Sequence, residues 1–265
     1  MSELKARHRA MWATGDYAAL ATEVIPGLGQ ALVEAAGVRR GQRVLDVAAG
    51  TGNAAIPAAL AGAEVVASDL TPELLDAGKA VAAQRGALLG WEVADAEAMP
   101  FKDEEFDVVM SCVGVMFAPH HRAGADELVR VTRPGGTLAL LSWTPEGFIG
   151  QMFAVMKPYA PPPPPGAQPP PLWGDPDHVK ALFGDRVDGF TAVRATAHID
   201  RFRTPEEFRD YFKAFYGPTI AVYRNIADDP ERTAALDAAL ADLARRHLNA
   251  GAMEWEYLLV IARKA

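Results

Sequence analysis

Three carboxylates stand at the ends of short apolar runs: Asp46 in Val44-Leu45-Asp46-Val47, Asp69 closing Glu64-Val65-Val66-Ala67-Ser68-Asp69, and Asp95 just past Leu88–Val93. Between the first two runs lies Ala48-Ala49-Gly50-Thr51-Gly52-Asn53, a loop of small residues. Gly50 and Gly52 permit backbone angles and close approaches that a side chain obstructs. A strand feeding such a loop and then a helix sets unpaired amides and a carboxylate beside a ligand at the strand's carboxyl end. The chemistry on offer is that of a cofactor cradle. His120 and His121 follow a fourth apolar run, Phe106–Ser111, and an imidazole there is a candidate general base near neutral pH.

The elements that must position these groups are legible from periodicity. Arg43–Val47, Glu64–Asp69, Leu88–Val93, Phe106–Ser111 and Thr137–Trp143 read as strands. Helical segments separate them: one from Ala54 to Leu60, one begun by Thr71-Pro72-Glu73, and one over Ala123–Val131. Arg133-Pro134-Gly135-Gly136 places proline and glycine at the centre of a type II turn. Strands alternating with helices predict an α/β fold, a doubly wound and mostly parallel sheet. Before it, residues 1–25 read as helical with a break at Thr14-Gly15-Asp16, and Leu28–Ala36 as a helix stopped by Gly37.

After it the rhythm changes. Pro161–Pro165 and Pro169–Pro171 are stiff, extended and unable to join a sheet, so 146–175 is expected to form a proline-rich loop at the rim of the site. Asp177–Leu182 reads as a helix and Ala192–Ile199 as a strand. Thr204-Pro205-Glu206-Glu207 is a capping box that opens a helix to about Tyr216, and Asp229-Pro230 opens another to about His247. Glu254–Ala262 closes the chain as an apolar strand. One domain over 1–265 is expected, with its cofactor-binding half at 37–145.

With 50% hydrophobic residues among 265 and a net charge of −8, the chain can bury a full core and is ill suited to nucleic acid. The single Cys112 excludes an internal disulfide framework. No signal peptide and no span of about 18 apolar residues is visible, which places the expected protein in the cytoplasm with no membrane span. No histidine spacing suits a metal.

The loop alone leaves the cofactor open, because Gly50-Thr51-Gly52-Asn53-Ala54-Ala55 also fits a dinucleotide pattern. Asp46 argues against a dinucleotide: a carboxylate in that turn crowds a pyrophosphate but suits an ammonium. Together with Asp69, Asp95-Ala96, the segment Phe106–Gly136 and the closing strand, the loop resembles the class I S-adenosylmethionine-dependent methyltransferases, in particular the ubiquinone/menaquinone type. The resemblance covers roughly residues 40–145 and extends more loosely to Trp12, Gly15-Asp16-Tyr17 and the last strand.

The resemblance implies a seven-stranded Rossmann-like sheet whose last strand is antiparallel and inserted beside the fifth, with a helical cap built from insertions, 204–249 above all. It implies that Asp46, Ala48, Gly50 and Gly52 form the cofactor loop, Ala48 standing where the family has glycine. Asp69 then meets the ribose with Leu70 beside the adenine, Asp95 and Ala96 meet the adenine edge, Ser111 and Cys112 wall the methionine end, and Tyr17 closes over it. The implied cofactor is S-adenosylmethionine, and the implied partner a small methyl acceptor, aromatic or apolar, met by a monomer or homodimer. A silent S-adenosylmethionine-binding protein and an NAD-dependent oxidoreductase are the alternative readings; the second lacks any Tyr-x-x-x-Lys.

Overall fold

Val44, Leu45 and Val47 are wholly buried, so the strand β1 (Arg43–Val47) belongs inside a sheet covered on both faces. The computed structural model describes residues 3–265 and places β1 there. The other strands are β2 (Glu64–Asp69), β3 (Gly90–Val93), β4 (Phe106–Cys112), β5 (Thr132–Trp143), β6 (Val187–Ile199) and β7 (Met253–Lys264). They form one seven-stranded sheet in the order β3-β2-β1-β4-β5-β7-β6. The pairs among β1 to β5 are parallel, and β7 runs antiparallel to both β5 and β6. The insertion of β7 beside β5 is the arrangement the family resemblance implies.

The helices are α1 (Glu3–Trp12), α2 (Tyr17–Ala19), α3 (Leu28–Ala36), α4 (Ala55–Leu60), α5 (Pro72–Gln84), α6 (His121–Val131), α7 (Phe148–Met156), α8 (Pro176–Phe183), α9 (Pro205–Phe215), α10 (Gly217–Asn225) and α11 (Pro230–His247). A π-helical turn, Leu20–Val24, continues α2. Of the helical stretch expected over 1–25, residues 1–2 lie outside the described residues. Proline at the first helical position and a capping oxygen start α8, α9 and α11, with Asp175, Thr204 and Asp229 accepting from backbone amides. Among the described residues no helix is long and apolar enough to cross a membrane.

The differences from the sequence expectation have simple causes. β3 begins at Gly90 because Leu88 is 91% exposed, outside the sheet. β6 starts earlier, at Val187, since its pairing with β7 resumes after an irregularity between Asp188 and Thr191. The segment 146–175 is only partly loop: α7 occupies its start, burying Phe148, Ile149 and Met152, and a 3-10 turn, Pro170–Gly174, buries Trp173 near its end. Between the two helices expected over 204–247, a further one, α10, starts at Gly217-Pro218.

The strand order reverses between β1 and its neighbours β2 and β4. A crevice is expected outside the carboxyl ends of the strands at such a point. Asp46, Asp69 and Cys112 all sit at those ends.

Candidate functional site

A cavity opens at the carboxyl ends of β1, β2 and β4, floored by Ala48, Ala49, Gly50 and Thr51 and walled by Asp69, Leu70, Asp95, Ala96 and Cys112. The N-terminal segment covers one side with Lys5, His8, Trp12 and Tyr17; Trp143, Ile149, Phe212, Tyr216 and Trp255 form the far wall. Eight of the eleven expected cofactor residues line this space: Tyr17, Ala48, Gly50, Asp69, Leu70, Asp95, Ala96 and Cys112. Asp46, Gly52 and Ser111 stand behind it.

The floor is held by backbone conformation. Ala48 adopts a left-handed conformation, φ 53°, where glycine is the ordinary choice, and Gly50 has φ 56°. A Cβ at Gly50 meets no atom within 4 Å, because that face of the loop is open to the cavity. Gly52 is different: its Cβ would lie 3.0 Å from the Trp91 ring and 3.2 Å from Ile56, so this glycine lets the loop pack on the protein interior. Ser111 is likewise a staple. Its hydroxyl donates to the Val47 carbonyl at 2.6 Å and accepts from the Val115 amide at 2.8 Å.

Asp69 accepts from the Gly50 amide at 2.9 Å and the Thr71 amide at 2.8 Å. Burial pushes its carboxyl above the usual range, and those amides offset part of the rise. Asp46 has no such relief. It is 1% exposed, and neither carboxylate oxygen completes a hydrogen bond. Burial raises its pKa to about 8, against a partial pull from the Ala55 amide and with a further push from Asp69. A buried carboxylate without a donor is costly, and such a group suits a cationic or hydrogen-bonding ligand. The Cys112 thiol is pushed far up by burial, so it is no nucleophile.

Aromatic rings join the N-terminal cover to the far wall. Five rings from four separate segments close a circuit: Trp12 to Phe117 at 4.7 Å, Phe117 to Phe153 at 6.0 Å, Phe153 to Tyr216 at 6.4 Å, Tyr216 to Tyr17 at 6.2 Å and Tyr17 back to Trp12 at 5.4 Å. These separations are those of favourable edge and tilted contacts. The Gly217 amide, donating to the Tyr17 hydroxyl at 3.1 Å, and the Asp16 amide, donating to the Phe215 carbonyl at 3.0 Å, fasten the N-terminal segment to the junction of α9 and α10. Phe117 and Trp143 line the cavity. Met116, Phe148, Met152 and Trp173 are buried core.

Neither His120 nor His121 lines the cavity. His120 precedes α6, where its amide donates to Glu97 at 2.8 Å and its Nδ1 lies 3.0 Å from the same carboxylate. His121 is 0% exposed, with its Nδ1 3.0 Å from His178 Nε2 and its ring against Trp173. Burial and the neighbouring His178 lower the His121 pKa to about 4. Because this folded-state value lies below the unfolded 6.5, the neutral pair contributes stability above pH 6.5 that is lost as pH falls toward 4. Roughly 3 kcal/mol is expected to go in that window. Urea unfolding at steps between pH 7 and 4, compared with His121→Phe, checks it; parallel curves for the two proteins would remove the pair as the cause.

Sequence reasoning missed Lys5 and His8. Lys5 is buried, and its Nζ lies 2.8 Å from Asp95 and 2.7 Å from Glu97. His8 lies in the same cluster, its pKa lowered by burial and by Lys5. The one available signal was charge on a helix face turned toward the strand tips, which local periodicity does not resolve.

A family described as "Methyltransferase domain" matches residues 45–140, the stretch that carries β1, the glycine loop, Asp69 and Asp95. The uncharacterised protein Rv1403c of Mycobacterium tuberculosis is 55% identical over 257 residues, covering 97% of this chain and 94% of its own. Demethylmenaquinone methyltransferase of Renibacterium salmoninarum is 40% identical over 113 residues, 43% of this chain and 46% of its own. Among solved structures, the YcgJ protein of Bacillus subtilis superposes with a TM-score of 0.59 at 17% identity, covering 89% of this chain and 97% of that one, a likeness of fold. With the strand order, the glycine loop and the three strand-tip carboxylates, these similarities place the chain in the class I S-adenosylmethionine-dependent methyltransferase family.

Proposed function

We propose that the protein transfers a methyl group from S-adenosylmethionine to an oxygen, nitrogen or carbon of a small apolar or aromatic metabolite. The observation that carries this reading is the unpaired Asp46 carboxylate, buried directly behind a glycine-floored cavity that has carboxylates at one end and aromatic rings at the other. The residues present fit the cofactor. Asp69 has lone pairs left for two ribose hydroxyls, Asp95 with Ala96 offers an acceptor and a backbone amide to an adenine edge, and Asp46 suits an ammonium, directly or through one water. The open face of Gly50 leaves room for close backbone approach. A dinucleotide fits less well, since its pyrophosphate would hold Asp46 in the protonated form and leave that buried acid without the cation that ionises it.

When bound, S-adenosylmethionine supplies a methyl group on a positively charged sulfur. The chain's own contribution is orientation and exclusion of water. Asp46, Asp69 and Asp95 fix one end of the site. Trp143, Phe212, Tyr216 and Trp255 present a dry wall at the other, against which an acceptor is held in line. No group on that wall takes a proton at neutral pH, since burial pushes the Tyr216 phenol upward and keeps it protonated; the Cys112 thiol nearer the glycine loop is pushed up in the same way. His120 and His121 are engaged with Glu97 and His178. An acceptor held against that wall brings its own lone pair, and the imidazole of His8, held neutral by burial and by Lys5, lines the same cavity on the side of the N-terminal segment.

Calorimetric titration with S-adenosylmethionine, S-adenosylhomocysteine and NAD tests the cofactor. Binding of the two adenosyl ligands alone is expected, followed by S-adenosylhomocysteine release on a panel of phenols, quinones and heteroaromatics. Adenosyl binding without turnover on any acceptor would favour a silent binder, and NAD binding alone an oxidoreductase. Asp69→Ala is expected to weaken S-adenosylhomocysteine by about 1.5–3 kcal/mol through lost charge-assisted bonds. Unchanged affinity in the same titration would remove Asp69 from the site.

A further inference from the structure

Asp95 is held from one side only. Its Oδ1 accepts from the Glu97 amide at 3.0 Å and from Lys5 Nζ at 2.8 Å, while among the described residues no donor bonds Oδ2. Lys5 reaches this place from α1, ninety positions away in the chain, and the same ammonium lies 2.7 Å from Glu97 Oε2. Glu97 is in turn fixed by both the backbone amide and the ring of His120. The result is a chain of charge, His120–Glu97–Lys5–Asp95, in which one ammonium sits between two carboxylates at the polar end of the cavity. The side chain of Lys5 is 11% exposed, so the pair is not a solvated surface contact.

Without that cation Asp95 and Glu97 face each other as like charges, and Asp95 gains by turning outward. That turn costs it the role of an acceptor aimed into the cavity. A carboxylate acceptor aimed at position 6 recognises a purine with a 6-amino group and disfavours a 6-oxo purine, which sets another acceptor against it there.

We infer that Lys5 is a specificity-determining residue: by fixing Oδ1 of Asp95 it aims Oδ2 at the purine amine and makes the site selective for adenine over hypoxanthine. Resting on the cofactor reading above, the inference gives α1 a part in choosing the cofactor's base as well as in covering it. Lys5 acts through Asp95, so it is a positioning residue, and base selectivity is the readout that a merely structural role does not move.

The experiment titrates wild type, Lys5→Met and Lys5→Arg with S-adenosylhomocysteine and with its deaminated 6-oxo counterpart, S-inosylhomocysteine, after thermal unfolding has shown each variant folded. Wild type should prefer the adenosyl ligand by roughly 30-fold or more, the scale of a lost bond to a charged partner. Lys5→Met should weaken the adenosyl ligand about tenfold or more and leave the inosyl ligand nearly unchanged, collapsing the ratio to a few-fold. Lys5→Arg, which keeps a cation within reach, should restore much of it. A Lys5→Met protein that weakens both ligands in parallel, or neither, overturns the inference while leaving the cofactor reading intact. Wild type that binds neither ligand overturns the cofactor reading itself, and this inference with it.

Discussion

Asp46→Asn should weaken S-adenosylhomocysteine roughly 10- to 150-fold, the loss expected when a charge-assisted contact becomes a neutral one. The same change should leave the ligand-free protein at least as stable as wild type. The reason lies in the proton. The folded-state pKa of Asp46, about 8, stands above the unfolded 3.8, so the native state holds this proton more tightly than the unfolded chain does. The associated stability is present in full below pH 3.8 and is lost as pH rises toward 8, on the order of 5 kcal/mol across the window. Asparagine has no such dependence, and the variant should outlast wild type in chemical denaturation above pH 8. At pH 7 the ligand-free carboxyl is mostly protonated, and meeting an ammonium ionises it. Binding to wild type should therefore release a proton at pH 7, and almost none at pH 9. Titrations in two buffers of different ionisation enthalpy measure that release. Equal affinity of Asp46→Asn and wild type, with no proton released by either, would falsify the role given to Asp46.

Gly114→Ala is the substitution expected to do most damage to the scaffold of the site. A Cβ at Gly114 would stand 2.2 Å from the Ala48 carbonyl oxygen and 2.9 Å from the Ala48 Cβ. These are backbone and first-carbon atoms that no side-chain rotation moves. Ala48 and Val113 beside them already hold left-handed angles, φ 53° and 54°, unfavourable for alanine and more so for a β-branched residue. The tips of β1 and β4 would have to part, at about 3 kcal/mol, or roughly 6–12 °C in Tm. The floor of the cavity parts with them, so affinity for S-adenosylhomocysteine should drop together with Tm. Gly50→Ala is the contrast: its added methyl meets open space and the cost is the left-handed backbone alone, φ 56°, on the order of 1–2 kcal/mol, so Tm should fall less than in Gly114→Ala while the ligand is obstructed. A Gly114→Ala protein with wild-type Tm would show that the two tips can yield.

What the sequence disclosed, it disclosed through local rules. β1 and β2 occupy the residue ranges that apolar runs with strand-forming side chains indicate, and α9 and α11 begin where a capping residue precedes proline. Asp69 and Asp95 face one cavity because a parallel sheet brings successive strand ends together whatever lies between them. The features that escaped depend on contacts between distant segments. Lys5 finds Asp95 only after α1 folds over the strand tips, and nothing near Lys5 announces it. His120 and His121 are adjacent in the chain, on the loop side that faces acceptors in a simple reading, yet Glu97 and a buried His178 draw them elsewhere. Gly52 satisfies the loop motif while serving the packing of Trp91. The aromatic circuit needs rings from α1, the segment after β4, α7 and the α9–α10 junction, and no window of sequence contains it.

The placement of β7 between β5 and β6 divides the labour along the chain. The residues proposed to hold the cofactor fall within Asp46–Cys112, apart from the N-terminal cover. Those of the far wall, Trp143, Ile149, Phe212, Tyr216 and Trp255, come from β5 onward. Changes in the later part alter the shape offered to an acceptor without disturbing the glycine loop or its carboxylates. If the proposed function holds, a lineage built on this plan can trade one acceptor for another by drift in its second half, while the first half, tied to an unchanging cofactor, stays in place. The N-terminal segment touches both territories, and each such exchange has to be compatible with it.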